Sequence, residues 1–140
     1  MDGYKHIETC VGEYVARNYE HAVEVGIGRN AGAARILADS RKLLLTTDVK
    51  NMPVPEDLPF VTDDVFAPAI SRYAGADVIY AIRPAIEMVP PLIALAETIN
   101  CDLLVYHLGF ETWGSGGERI DCGVILHRYF RRQNPSNRVD

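Results

Sequence analysis

Hydrophobic and polar positions alternate along the chain with two periods, one helical and one typical of buried strands. From Tyr4 to Tyr19 the apolar residues recur every three or four positions, which predicts an amphipathic helix. Several later runs are apolar along their whole middle, as strands are when both faces of a sheet are covered. The predicted strands are HAVEVG (21–26), KLLLTTD (42–48), FVTDD (60–64), ADVIYAI (76–82), CDLLVYHL (101–108) and GVILHRYF (123–130).

Helices are predicted between these strands. AGAARILA (31–38) has a helix-favouring composition, a short helix is expected from Pro68 to Gly75, and a longer one from about Pro91 to Ile99. Strands that alternate with helices predict a parallel sheet with helices on both faces. The glycine-rich connection from 109 to 123 is a poor crossover helix, so the last strand is expected to pair antiparallel. The predicted fold is a three-layer α/β sandwich, mostly parallel, with an antiparallel strand at or near its C-terminal edge.

Length and composition fit one globular domain. The chain has 140 residues, of which 48% are hydrophobic and 24% charged, and we expect a single domain over 1–132 with a flexible tail over 133–140. No apolar run is long enough to cross a bilayer, and the N-terminus lacks the pattern of a signal peptide. A cytoplasmic protein without a membrane association is therefore expected.

Cysteines, histidines and net charge each exclude a class of partner. The three cysteines and four histidines are widely scattered and form no metal-ligand spacing, so no metal is expected. A net charge of -5 argues against nucleic-acid binding by the whole surface. The exception is the basic segment HRYFRRQNPSNR (127–138), where arginines lie beside aromatic residues. Its members are Arg128, Arg131, Arg132 and Arg138, with Tyr129 and Phe130.

A glycine-rich loop follows the first strand and opens into a helix. Gly26 and Gly28 allow the backbone to turn and to approach a ligand closely, and the helix N-terminus offers unpaired N–H groups. Asp48, at the end of the second strand, stands about twenty residues on, where a ribose-binding acid is expected. Asp63 and Asp64 end the third strand in the same way, and strand alternation predicts that only one of them faces the ligand.

Two nucleotide cofactors are compatible with this loop. For a dinucleotide, Gly26, Gly28 and Ala31 satisfy G-x-G-x-x-G/A, with Asp48 on the ribose 2'-hydroxyl. This reading gives Glu24 no role, although an unpaired carboxylate inside an apolar run is costly.

The second reading rests on a resemblance. The stretch from Glu24 to Asn30, EVGIGRN, resembles the E/D-x-G-x-G-x-G motif of the Rossmann-like methyltransferases, with Asn30 in place of the third glycine. The resemblance implies S-adenosylmethionine as cofactor, with Glu24 helping to fix its ammonium group. It also implies that Asp48 binds the ribose and that Asp64 contacts the adenine amino group. VIYAIRP (78–84), taken with the loop, is similar to a family of small uncharacterised archaeal proteins with this Rossmann-like fold.

The segment after the fourth strand is where the methyltransferases hold their catalytic residues. Arg83, fixed by the following Pro84, is suited to an anionic acceptor, with an ion pair to Glu87 as the alternative. Glu87 is the candidate base, with a solvated residue at a helix start as the alternative.

Three functions follow from these observations. The first is a small S-adenosylmethionine-binding protein of methyltransferase type, with an acceptor that the sequence does not identify. The second is a non-catalytic nucleotide-fold module that acts through a partner protein or as a homodimer. The third is an NAD(P)-dependent reductase, for which the chain offers no second half of the sheet.

Overall fold

The computed structural model describes residues 3–133 and shows a single seven-stranded sheet with helices on both faces. The strands are β1 (Ala22–Val25), β2 (Leu43–Asp48), β3 (Phe60–Thr62), β4 (Val78–Ile82), β5 (Asp102–Tyr106), β6 (Glu118–Asp121) and β7 (Ile125–Phe130). The α-helices are α1 (Tyr4–Asn18), α2 (Gly32–Asp39) and α3 (Val89–Ile99), and short 3-10 helices span Ile70–Tyr73 and Ile86–Met88.

The strand order is β3-β2-β1-β4-β5-β7-β6. The five strands from β3 to β5 are parallel, and β7 runs antiparallel between β5 and β6. The predicted mostly parallel sheet with an antiparallel strand near its C-terminal end is confirmed. The sequence analysis did not predict β6. This edge strand of the sheet lies within the glycine-rich connection from 109 to 123. Three of the four β6 residues are exposed, so this strand has no hydrophobic signature.

The helix boundaries agree closely with the apolar periodicity, with one difference at α3. This helix begins at Val89, two residues before the predicted start at Pro91. Pro90 and Pro91 therefore lie in its first turn, where backbone N–H groups have no partner within the helix and proline costs nothing. The helix predicted after Pro68 is the 3-10 helix Ile70–Tyr73.

The two faces of the sheet are covered differently. Helices α1 and α2 pack together on one face, over a core that includes Val11, Leu37 and Leu104. They approach closely at Gly12, where a Cβ would lie 3.0 Å from the Cα of Ala33. Helix α3 covers the other face through residues such as Leu92. The carboxyl ends of β1, β2, β3 and β4 consequently meet at one open edge between these layers.

The C-terminal strand is tied to the rest of the sheet. Gln133, the first residue of the predicted tail, donates its backbone N–H to the Asn100 side chain at 2.8 Å and accepts a bond from the Asn100 amide at 2.9 Å. Residues 134–140 of the predicted tail lie outside the described residues. Between residues 3 and 133, no helix has the length and apolar character needed to cross a membrane.

Candidate functional site

The glycine-rich loop after β1 is held by hydrogen bonds to the end of β2. The N–H groups of Gly26 and Ile27 both donate to the carbonyl of Thr47, at 2.9 and 3.0 Å. The N–H of Gly28 donates to Asp48 Oδ2 at 2.9 Å. Gly28 has φ +58, and a Cβ at this position would meet no atom within 4 Å. The loop is therefore preorganised by β2 and leaves free space at its surface.

A hollow of about 440 Å³ opens beside this loop at the carboxyl edge of the sheet. Its volume lies in the range of about 300–1,000 Å³ that small-molecule sites occupy. Four of the residues predicted from the sequence line it, and they come from the ends of four elements: Gly26, Asp48, Asp64 and Arg83. The remaining lining residues are Val25, Val49, Asp63, Val65, Phe66, Pro84, Ala85 and Met88.

Asp48 and Asp64 retain capacity for a ligand. Asp48 accepts one backbone N–H on each oxygen, from Gly28 at 2.9 Å and from Lys50 at 3.1 Å. Asp64 accepts the N–H of Phe66 at 3.0 Å, which closes a local turn. A carboxylate offers about four lone-pair sites, so both groups are able to accept further hydrogen bonds.

Asp63 also lines the hollow, which corrects the expectation that only one of the two neighbouring aspartates faces it. Strand β3 ends at Thr62, so the alternation of side chains along a strand does not extend to Asp63 and Asp64. Asp63 accepts the hydroxyl of Tyr73 at 2.5 Å. Burial and the Asp63 charge raise the pKa of the Tyr73 phenol, so it stays protonated and remains a donor.

Glu24 lies beneath this site and is absent from the described residues that line the hollow. Its side chain is 1% exposed and accepts the Tyr80 hydroxyl at 2.7 Å. Burial raises the pKa of Glu24 well above its usual value, and the nearby Glu8 charge raises it further. The acid therefore favours its neutral form in the folded protein. In the structure the hydrogen-bond partner of Glu24 is the Tyr80 hydroxyl. The predicted contact of Glu24 with a cofactor ammonium stays a prediction.

Arg83 occupies a left-handed backbone conformation at the end of β4, with φ +57. Its N–H donates to the carbonyl of Tyr106 at 2.7 Å, and its guanidinium carbon lies 4.0 Å from the centre of the Tyr4 ring. Glu87 is exposed on the 3-10 helix Ile86–Met88 and does not line the hollow. Within residues 3–133 the structure records no ion pair between Arg83 and Glu87, so the stacking on Tyr4 replaces that alternative.

Asn30 is not among the described residues that line the first hollow. It lines a second hollow of about 300 Å³, between the start of α1 and the start of α2. The buried Glu8 carboxylate is part of this hollow and accepts the N–H of Ala33 at 2.8 Å. Asn30 therefore lines a different hollow from Asp48 and Asp64, while Tyr4, on which the Arg83 guanidinium stacks, also lines this second hollow.

Apolar side chains that the sequence analysis did not select complete the first hollow. Phe66 is 60% exposed at its rim, and Met88 lies near Gly26, where a Cβ would be 4.0 Å from the Met88 Cε. The only signal for Phe66 is its position two residues after Asp64. Planar aromatic and thioether groups are common walls of nucleotide sites because they pack against flat rings.

Two arginines of the basic C-terminal segment form ion pairs with acidic residues of the same chain. Arg128 donates to Glu118 at 2.8 Å and contacts Asp102 at 3.4 Å, while Arg131 donates to Glu118 at 3.1 Å. Arg138, the last arginine of the segment, lies outside the described residues. Among the residues that the structure describes, no group of three or more His, Cys, Asp or Glu side chains is placed to hold a metal ion.

Comparison with known proteins identifies the family and the fold. The sequence profile of the Uncharacterised protein family (UPF0146) matches residues 8–119. A UPF0146 protein of Archaeoglobus fulgidus is 35% identical over 96 residues, which cover 68% of this chain and 74% of that protein. A UPF0146 protein of Pyrococcus horikoshii is 33% identical over 126 residues, which cover 85% of this chain and 96% of that protein.

Among solved structures, the sugar N-methyltransferase KedS8 from a Streptoalloteichus species is similar, with a TM-score of 0.55 at 12% sequence identity. The match covers 81% of this chain and 56% of that enzyme, so this chain spans little more than half of its length. At this identity the likeness concerns the fold alone. The chain therefore belongs to the UPF0146 family, and it has the methyltransferase-like Rossmann fold that its sequence resembles.

Proposed function

We propose that this protein binds S-adenosylmethionine in the hollow at the carboxyl edge of β1 to β4, as a protein of methyltransferase type. The supporting observation is the charge of the lining, where Asp48, Asp63 and Asp64 face a single guanidinium, that of Arg83. Three carboxylates favour a ligand with a positive sulfonium and ammonium, and they oppose the pyrophosphate of a dinucleotide.

The adenosine part of the cofactor has matching groups in this arrangement. The ribose hydroxyls would donate to Asp48, the adenine amino group would donate to Asp64, and the adenine ring would pack against Phe66. Gly26, which lines the hollow with φ +75, leaves room for the backbone of the loop to contact the cofactor, whereas Gly28 is not among the described lining residues. Bound S-adenosylmethionine supplies an electrophilic methyl group, and Arg83 would orient an anionic acceptor toward it.

The dinucleotide alternative is disfavoured by the sheet as well as by the charge. A dinucleotide fold binds its second nucleotide on a second parallel half. In this sheet the strand next to β5 is the antiparallel strand β7. Among the described residues, α3 is the one α-helix that follows β4 in the chain. The NAD(P)-dependent reductase is therefore the weakest of the three functions.

A non-catalytic module remains the second candidate, and the position of Glu87 favours it. This candidate base is exposed and lies outside the hollow, so the described part of the chain brings no second predicted catalytic group to Arg83. Under this function the fold serves a partner protein or a second copy of the chain, and the hollow binds none of the nucleotides.

Titration of the full chain with S-adenosylhomocysteine, S-adenosylmethionine and NADH, followed by backbone amide shifts, separates these functions. We expect saturable shifts at residues 26–32 and 48–50 with the two adenosyl compounds. Saturable binding of NADH alone would contradict the proposal in favour of the reductase. A lack of response to all three compounds would contradict it in favour of the module.

Asp64→Asn provides the sharpest variant for this titration. Asparagine closes the same local turn by accepting the N–H of Phe66, so the loop is retained while the charge is lost. We expect about tenfold weaker binding of S-adenosylhomocysteine, since a hydrogen bond to a charged group contributes about 1.5–3 kcal/mol. Asp39→Asn, at an aspartate 70% exposed at the end of α2, is the matched control and should bind as the wild type does. Equal affinity of the Asp64 and Asp39 variants would remove Asp64 from the site.

A further inference from the structure

The second hollow, between the start of α1 and the start of α2, combines a buried acid with two exposed cations. It measures about 300 Å³, at the lower end of the range that small-molecule sites occupy. Glu8 is only 4% exposed, whereas Lys5 and Arg29 are exposed. The cofactor contacts proposed for the first hollow involve none of these three side chains.

Packing and a backbone hydrogen bond fix the Glu8 carboxylate in this place. Its Oε1 accepts the N–H of Ala33 at 2.8 Å. A Cβ at Gly32 would lie 2.8 Å from the Glu8 Cβ, so the missing side chain of Gly32 allows α1 to bring Glu8 against the start of α2. The carboxylate is therefore positioned by α2 and not by a cation of the protein.

The second carboxylate oxygen of Glu8 is unpaired and accessible. Within residues 3–133 the structure records no hydrogen bond or ion pair for Oε2. On the non-exposed residues of this range, the one side-chain nitrogen or oxygen that is both unpaired and fully buried is His107 Nδ1, so Oε2 keeps accessible surface. Burial raises the pKa of Glu8, and the bond from Ala33 and the Arg83 charge lower it. A buried carboxylate is costly unless it is paired, so Oε2 offers a place for a cationic group of a ligand.

The two cations provide the opposite charge at the mouth of the same hollow. Lys5 lies three residues before Glu8, on the same face of α1, and Arg29 lies in the loop that precedes α2. An acid below and cations above complement a small ligand that carries an ammonium and a carboxylate close together. A ligand with one charge would match only half of this arrangement.

We propose that the second hollow binds an α-amino-acid group, with its ammonium on Glu8 Oε2 and its carboxylate on Arg29 and Lys5. A free amino acid and the amino-acid end of S-adenosylmethionine both present this group. The second source is within reach because the hollows are neighbours: the Arg83 guanidinium, which lines the first, lies 4.0 Å from the centre of the Tyr4 ring, which lines the second. The site does not require that the first hollow binds a cofactor.

L-methionine is the probe, because two close analogues each lack one of its charges. The full chain is titrated with L-methionine and followed by backbone amide shifts, and we expect saturable shifts at residues 4–9 and 29–33. The analogue 4-(methylthio)butanoate has no ammonium and should bind at least about tenfold more weakly. The analogue 3-(methylthio)propylamine has no carboxylate and should bind at least about threefold more weakly, since it loses contacts with exposed cations.

Two variants, each measured with the matching analogue, separate binding from folding. Glu8→Gln still accepts the N–H of Ala33, and it should weaken L-methionine about tenfold without weakening 4-(methylthio)butanoate. Arg29→Gln should weaken L-methionine about threefold without weakening 3-(methylthio)propylamine. Structural damage would weaken the amino acid and its analogue alike. Glu13→Gln, at an exposed glutamate of α1, is the matched control and should bind as the wild type does.

Competition identifies the source of the amino-acid group. If S-adenosylhomocysteine displaces L-methionine from residues 4–9, the group is the end of the cofactor, and 5'-methylthioadenosine, which lacks it, should displace nothing there. If both compounds bind together, the natural ligand is a free amino acid. A protein that binds L-methionine but no adenosyl compound would retain this site and contradict the proposed function.

Three results would overturn the proposal. The first is that neither L-methionine nor S-adenosylhomocysteine shifts residues 4–9, and binding of S-adenosylhomocysteine elsewhere would then leave the proposed function intact. The second is that both analogues bind as tightly as L-methionine. The third is that folded Glu8→Gln binds L-methionine as tightly as Glu13→Gln does.

Discussion

Two glycine-rich loops meet the carboxyl edge of this sheet, and they use glycine for opposite reasons. In the loop after β1, Gly28 has φ +58 and its missing Cβ would point into open space. In the loop before β6, Gly117 has nearly the same angle, φ +61, but its Cβ would lie 2.5 Å from the carbonyl oxygen of Arg128. The first glycine is compatible with close approach of a ligand, and the second is required by packing.

The difference extends to the charges around each loop. The first loop lies beside the carboxylates of Asp48 and Asp64, which have spare acceptor capacity. The second covers the buried rings of His107 and His127, which contact the Tyr129 hydroxyl and the Gly116 carbonyl. The loop after β1 therefore borders an acidic hollow, whereas the loop before β6 packs over buried side chains. Only substitutions in the second loop should affect folding strongly.

The largest expected effect follows directly from this comparison. Gly117→Ala should lower the free energy of unfolding by more than about 3 kcal/mol, because it combines a left-handed alanine with overpacking against the β7 backbone. Gly28→Ala has only the conformational cost, about 1–2 kcal/mol. Urea unfolding of both variants measures the difference.

The same pair separates folding from binding. We expect Gly28→Ala to remain folded but to bind S-adenosylhomocysteine more weakly, because alanine at φ +58 strains the loop in which Gly26 lines the hollow. If Gly28→Ala destabilised the protein as much as Gly117→Ala, the open space at Gly28 would be filled in solution and the comparison between the loops would fail.

The second prediction concerns Glu24, the buried acid of β1 that precedes the first glycine-rich loop. Glu24→Gln should stabilise the protein near pH 7, because glutamine still accepts the Tyr80 hydroxyl and cannot ionise. The pKa of Glu24 is raised in the folded state, so the neutral acid contributes its full stability below its usual pKa of 4.5 and loses it as pH rises toward the folded value. The advantage of the variant therefore grows above pH 4.5, by up to about 1.4 kcal/mol per pH unit.

Thermal unfolding of Glu24→Gln between pH 4 and pH 8 checks this prediction. Glu97→Gln, at an exposed glutamate of α3, is the matched control and should follow the wild type at each pH. A Glu24→Gln variant that is less stable than the wild type at pH 7 would show that the Glu24 charge has a cationic partner in solution.

The order of elements could be predicted from the sequence because apolar periodicity and glycine are local signals. The strand β6 could not, since its sequence ERID is mostly exposed and depends on backbone pairing with β7. The partner of Glu24 was equally hidden, because Tyr80 lies 56 residues away and is brought opposite it by the register of β1 and β4. His107 and His127 look scattered in the sequence, and the antiparallel pairing of β5 with β7 brings them together.

The candidate site shows the same division between local and long-range information. Gly26, Asp48 and Asp64 were identified because they end elements that the sequence marks clearly. The exposure of Glu87 depends on the 3-10 helix that precedes α3, which the sequence analysis did not predict. Residue types at strand ends were thus predictable, whereas the direction of side chains in the connections was not.

The smallest effect concerns Arg83, which lies between the two loops. Arg83→Gly and Arg83→Ala both remove the guanidinium from the Tyr4 ring, so their difference isolates the backbone at φ +57. Glycine adopts this conformation freely, and the glycine variant should be more stable than the alanine variant by about 1–2 kcal/mol. Arg72, in the 3-10 helix Ile70–Tyr73, is the control position: there the alanine variant should be more stable than the glycine variant, because alanine is favoured in a helix.

Thermal unfolding of the four variants gives the stability difference between glycine and alanine at each position. If glycine were the less stable residue at both positions, Arg83 would relax out of the left-handed region. The hydrogen bond from the Arg83 N–H to the Tyr106 carbonyl would then not fix the end of β4 against the end of β5.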